Sequence, residues 1–156
     1  MTCCAFSKVP AEGEAVSKVN IQIEAIVFAT PQEVWAYWTQ PHHIIQWNFA
    51  SDDWKCPMAS NDLRVGGKYS ARMEAKDGSF GFDFEAHYDE VSEHRRLTYT
   101  LGDGRQVTTS FEDQVDRTKV TTIFEAETSN PVDMQKTGWQ SILNNFKSYA
   151  EQQKST

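Results

Sequence analysis

Three groups of side chains in this chain have the residue types that chemistry requires. They are the adjacent histidines of "QPHHIIQW" (His42-His43), the carboxylates Asp52-Asp53 with Cys56 close behind, and the paired glycines Gly66-Gly67. Neighbouring residues on a helix point about 100° apart, so His42 and His43 do not converge on one ion as an i, i+4 pair can. A solvent-exposed or capping role is expected for them, with one ring near a cavity mouth beside Trp47 as the functional alternative. Cys56 becomes a nucleophile only if a base takes its proton or lowers its pKa. No pattern supplies that base, and a His/Asp/Cys site drawn from this stretch has no specific support. Serine offers no Gly-x-Ser-x-Gly elbow. Cys3-Cys4 lacks a second Cys/His pair at zinc spacing. No catalytic residue, metal ligand or cofactor is therefore assigned, and whether the protein is an enzyme stays open.

The glycines of "LRVGGKYSARM" pose a different question. A phosphate loop leads into a helix N-terminus, where free N–H groups face the anion. Here Tyr69, Ala71 and Met73 alternate with Lys68, Ser70 and Arg72, the two-residue period of a half-buried strand. The glycines are read as a bulge or a close backbone approach at a strand entrance. Arg64 and Arg72 could meet a ligand carboxylate, but Arg72 has outward parity, and both are expected in solvent.

The elements that would position a site follow from periodicity. With 156 residues the chain suits one domain that buries roughly two-thirds of its unfolded surface. Its formal net charge of −7 is spread along the sequence, which argues against a nucleic-acid footprint or a polybasic membrane anchor. No apolar run approaches the ~20 residues of a membrane span. Three cysteines make no disulfide framework. With no secretory signal at the N-terminus, a cytoplasmic location is expected. Residues 1–17 read as a flexible tail, and a single domain is expected over 18–152.

Val19, Ile21, Ile23, Ala25 and Val27 alternate with polar residues as one strand. Thr30, Pro31 and Glu33 form a capping box that opens a helix carrying Val34, Trp35 and Trp38. Pro41 breaks it, and a second short helix reaches about Trp47. After a strand near Trp54, further strands are expected at 66–76, 79–91, 94–102, 105–114 and 118–128. Asp77-Gly78 and Asp103-Gly104 read as tight hairpin dipeptides. Phe80, Phe82, Phe84, Ala86 and Tyr88 share one face, as do Leu97, Tyr99 and Leu101, then Val107, Thr109 and Phe111, then Val120, Thr122, Phe124 and Ala126. After Asn130-Pro131, Met134, Gly138, Trp139, Ile142, Leu143, Phe146 and Tyr149 mark a helix of about 20 residues. Its stripe and the aromatic sheet face satisfy each other if the helix crosses the concave side of a curved antiparallel sheet.

Tyr69, Tyr88, Tyr99, Thr109 and Thr122 interrupt an otherwise apolar inner face. That mix suits a pocket with apolar walls and a few orienting hydroxyls; it also suits a packed core whose hydroxyls bond to backbone. Periodicity leaves both open.

The segments "ATPQEVWAYWTQP" (Ala29–Pro41), Trp47, "DLRVGGKYSARM" (Asp62–Met73) and "TGWQSILNNFKSY" (Thr137–Tyr149) add a resemblance. Together they resemble the START-like (Bet v 1-like, SRPBCC) superfamily, and within it the family related to the C-terminal domain of the Hsp90 ATPase activator. The match runs from about Lys18 to Tyr149. It implies an α+β helix-grip fold, a curved antiparallel sheet around a long C-terminal helix with two short helices after the first strand. It also implies a cavity between them for a small, largely apolar ligand. The expected lining is Tyr69, Met73, Phe82, Phe84, Tyr99, Phe111, Phe124, Trp139 and Ile142, with Trp47 and Trp54 near the entrance. Two alternatives accompany this reading. One is a cyclase or hydrolase using the same cavity, with His42 or His43 as the nearby histidine. The other is a chaperone-interacting module like the Hsp90 co-chaperone, although nothing like that protein's N-terminal domain is recognisable before residue 18.

Overall fold

The structure is a computed structural model that describes residues 19–154. The expected tail, with Cys3 and Cys4, lies outside the described residues. Along the chain run β1 (Asn20–Val27), α1 (Pro31–Thr39), α2 (Pro41–Ile44), β2 (Trp54–Asn61), β3 (Lys68–Ala75) and β4 (Gly81–Ser92). Then come β5 (Arg96–Leu101), β6 (Gln106–Asp113), β7 (Thr118–Glu125) and α3 (Val132–Lys154). The seven strands form one sheet in the order β1-β7-β6-β5-β4-β3-β2. All neighbours are antiparallel, so β2 to β7 make a meander and β1 closes against β7. This is the α+β helix-grip fold.

Local chemistry explains the elements. Thr30 Oγ1 accepts from the Glu33 N–H at 3.2 Å while the Thr30 N–H donates to Glu33 Oε1 at 3.0 Å, which satisfies donors at the start of α1. α3 is 23 residues long, ~35 Å at 1.5 Å per residue. Its buried side chains Leu143, Phe146 and Ala150 provide the stripe that the concave sheet face needs. The Trp139 ring stacks on Phe124 of β7 with centroids 3.9 Å apart. Polar clamps tie the helix to β1. Gln140 Nε2 donates to the Glu24 carbonyl at 3.1 Å, and Lys147 Nζ donates to the Ile26 carbonyl at 2.8 Å.

Several expectations are corrected. The two Asp-Gly pairs are not two-residue hairpin turns. Residues 76–79 lie inside the Ala75 N–H to Phe80 carbonyl bond of 2.9 Å, and residues 102–104 lie inside the Leu101 N–H to Arg105 carbonyl bond of 2.8 Å. The Asp side chains lengthen these turns by accepting from the N–H two residues on. Asp77 takes the Ser79 N–H at 2.8 Å and Asp103 the Arg105 N–H at 3.1 Å. The aromatic run of β4 keeps one face but outruns its cover. Ala86 and Tyr88 are buried, whereas Phe82 is 41% exposed and Phe80 61%. Met134, expected on the α3 stripe, is also exposed.

Val115, in the β6–β7 connection, has φ of 78° and is 93% exposed. A β-branched residue is poorly suited to the left-handed region, which costs about 1–2 kcal/mol. Part of any relief is offset by the extra freedom glycine gives the unfolded chain. Val115→Gly is expected to stabilise the fold by about 1 kcal/mol, measured as a raised midpoint in denaturant titration.

Candidate functional site

The concave face and α3 do not close completely on each other. Between them is a cavity of about 180 Å³. Strand alternation supplies most of its wall, because every second residue of a strand faces the same side. β3 contributes Tyr69 and Met73, β4 contributes Phe82, Phe84 and Tyr88, and β5 contributes Tyr99. Ile23, Thr109 and Thr122 come from β1, β6 and β7. Trp139, Ile142 and Leu143 of α3 form the lid, and Trp38, Trp47 and Asn48 close the side next to the short helices. No charged side chain is on this wall.

The expected lining residues are on the wall except Trp54, Phe111 and Phe124. Phe124 lies behind Trp139, stacked beneath it. Phe111 packs edge-on against Trp35 and Trp38, with centroids 5.6 and 5.8 Å away. Trp54 sits outside, 6.0 Å from Phe80 and 6.2 Å from Phe82. Trp47 lines the cavity but is not at an entrance. It is buried against Trp38 and Phe146, and its Nε1–H donates to the Tyr37 carbonyl at 2.9 Å. The exposed member of the wall is Phe82, which marks the side open to solvent.

Asn48, Trp38, Ile23 and Leu143 were not expected on the wall. Trp38 and Leu143 carry a signal in their helical stripes, and Ile23 has one in its strand alternation. Asn48 has none, because it follows α2 in irregular chain where no period applies.

The polar atoms of the cavity form three small sets. Tyr88 donates its hydroxyl to Asn61 Oδ1 at 2.8 Å. Thr109 and Thr122 hydroxyls pair at 2.9 Å. Asn48 Nδ2 lies 3.3 Å from the Tyr69 hydroxyl. The Tyr99 hydroxyl has no hydrogen-bond partner among the described residues, although its ring is flanked by Tyr69, Phe84 and Tyr88. Burial raises the pKa of all three tyrosines, that of Tyr88 to about 12. These phenols remain protonated and present O–H donors.

The other candidates for chemistry are elsewhere. His43 does not face the cavity. Its Nδ1 is 2.6 Å from the Tyr149 hydroxyl, and its ring lies edge-on to Tyr37. Burial, helped by His42, lowers its pKa below the ordinary histidine range. Cys56 is buried, and burial pushes its thiol up, partly opposed by hydrogen bonds from Asn48 and the Met58 backbone. A thiol so placed is a poor nucleophile. Arg64 pairs with Asp62 at 2.9 Å, and Arg72 bridges Glu74 and Asp83 on the outer face. Among the described residues no three His, Cys, Asp or Glu side chains gather as a metal site requires.

Gly66 and Gly67 are structural. Gly66 has φ of 83°. The Gly66 N–H donates to the Tyr88 carbonyl at 2.8 Å, and the Tyr88 N–H donates to the Gly67 carbonyl at 3.0 Å. They start β3 against β4 and so place Tyr69 opposite Ala86.

The family model described as "Activator of Hsp90 ATPase homolog 1-like protein" matches residues 29–151. The chain belongs to this family, within the START-like (SRPBCC) superfamily. The solution structure of the AHSA1-like protein from Aeromonas hydrophila is similar, at 40% identity, with 88% of this chain and 96% of that one covered at a TM-score of 0.83. Chr148 from Cytophaga hutchinsonii is 44% identical over 87% of this chain and 94% of its own, with a TM-score of 0.75. NE0264 from Nitrosomonas europaea shares the fold at 16% identity, with 88% and 97% covered and a TM-score of 0.75. No curated protein matches the chain. In family terms, the matched stretch contains every residue of the cavity wall except Ile23. Among the described residues no helix is long and apolar enough to cross a membrane.

Proposed function

We propose that the protein binds a small, largely apolar molecule in the cavity between the sheet and α3. The observation that carries this reading is a space of about 180 Å³ walled by rings, aliphatic groups and a few hydroxyls, with no charge. Ligand sites combine apolar walls with a small number of placed polar groups in this way. An apolar cavity of about 150 Å³ is large enough to take up benzene, so the expected ligand is of that order rather than a long lipid. Binding is favoured over cyclase or hydrolase chemistry because the ionisable groups on the wall are phenols held protonated, and His42 and His43 lie outside it. A chaperone-interaction reading would draw on the exposed apolar residues Phe80 and Phe82. Phe82 is also part of the cavity wall, so those rings are read here as its mouth.

Thermal unfolding in the presence of benzene, toluene and indole tests the proposal. At ten times its Kd, a bound ligand stabilises by about 1.4 kcal/mol, a rise of roughly 3–6 °C for a domain of this size. Ile142→Trp, which fills the cavity from α3, is expected to abolish the rise while the protein stays folded. No shift with any of the three, with wild type and variant behaving alike, would count against the reading.

A further inference from the structure

Tyr99 is the cavity tyrosine whose hydroxyl makes no hydrogen bond among the described residues. Tyr88 donates to Asn61, the two threonines pair with each other, and Tyr69 accepts from Asn48. The Tyr99 ring lies parallel to Tyr69 with centroids 5.8 Å apart and edge-on to Phe84 and Tyr88 at 6.2 and 5.9 Å. With rings on these sides, the approach left for a hydrogen-bonding partner is through the void that Tyr99 lines. Tyr99 is partly buried, and a hydroxyl turned from bulk water without a partner is costly unless a ligand or water completes it.

Building on the binding reading above, we propose that the cavity takes a neutral molecule with a benzene-sized apolar body and one acceptor oxygen, a carbonyl compound, which Tyr99 orients by donating its hydroxyl proton. Neutrality follows from the wall. No lysine, arginine or histidine lines it, so a carboxylate there would lose its hydration with no cation in exchange. The size limit follows from the volume. A donor held on an apolar wall selects the acceptor's position as well as its presence.

The test compares acetophenone with α-methylstyrene, in which a methylene group replaces the carbonyl oxygen at nearly the same shape. Benzoate is the charged control. Dissociation constants are measured by calorimetry for the wild type, Tyr99→Phe and Tyr149→Phe. The expected result is that the preference for acetophenone over α-methylstyrene falls about fivefold or more in Tyr99→Phe, the worth of one hydrogen bond. The hydrocarbon's own affinity changes by less than about twofold. Tyr149→Phe, whose hydroxyl meets His43 away from the cavity wall, is expected to leave the preference unchanged. Without ligand, Tyr99→Phe is expected to be at least as stable as the wild type, because it removes an unpartnered group. If both probes bind but their ratio is the same in wild type and Tyr99→Phe, the role of Tyr99 is overturned and apolar binding survives. Benzoate binding more tightly than acetophenone would overturn neutrality. If neither neutral probe binds the wild type, the cavity-binding reading fails, and this one with it.

Discussion

Phe146→Ala is expected to unfold roughly 8–16 °C below the parent protein, from a loss of about 3–5 kcal/mol. Phe146 has no solvent exposure. It is held edge-on between Trp38, at 4.8 Å between centroids, and Trp47, at 4.9 Å. Those two indoles line the cavity, and Phe146 stands behind them. Removing its ring therefore costs burial and leaves a hole that two large rigid rings cannot fill by small shifts. The same substitution should loosen the cavity wall, so toluene binding is expected to weaken together with stability. Calorimetric unfolding checks the first effect, and a toluene titration checks the second. A loss below about 1 kcal/mol would mean that α3 does not pack on the short helices as described.

Gly67→Ala has the second large effect, and Gly66→Ala beside it provides the internal comparison. A Cβ on Gly67 would lie 2.0 Å from the Asp62 carbonyl oxygen and 3.0 Å from that of Arg64. Both are backbone atoms of a loop tied down by the Gly67 N–H to Arg64 carbonyl bond of 2.8 Å. The loop must open, and opening it pulls away the carbonyl that receives the Tyr88 N–H. A cost of about 2–4 kcal/mol is expected, within the range of strain at special backbone positions. Gly66 has open space around its Cα, so Gly66→Ala pays only for positive φ, about 1–2 kcal/mol. Chemical denaturation of both variants measures the difference. Equal losses would contradict the close approach at Gly67.

The order of elements was readable because its determinants are local. Thr30, Pro31 and Glu33 state the helix start within four residues, and strand parity assigns a face to each residue from its neighbours alone. Parity also explains why Tyr69, Tyr88, Tyr99, Thr109 and Thr122 were recognised as inward. It cannot tell an inward residue that meets the void from one that meets another ring. Phe124 and Phe111 share the face of Tyr99 but are covered by Trp139 and by Trp35 with Trp38, side chains distant in sequence. β2 was legible only near Trp54, because Pro57 and the register shift between Lys55 and Met58 break the alternation. Asn48 reaches the wall through the path of irregular chain, which no period describes. The Asp-Gly turns are longer than the dipeptide alone implies, because the Asp77 and Asp103 side chains accept from the N–H two residues on.

Methyl-resolved NMR during a toluene titration tests the interior space most directly. Ile23, Met73 and the adjacent Ile142 and Leu143 come from three elements, β1, β3 and α3, and meet around the cavity. Their methyl signals are expected to shift together along one saturating curve, while buried Val34 and Ile44, away from the wall, stay nearly still. Saturating shifts absent from those four, or confined to the neighbourhood of Phe80 and Trp54 on the outside, would contradict an interior that admits a ligand.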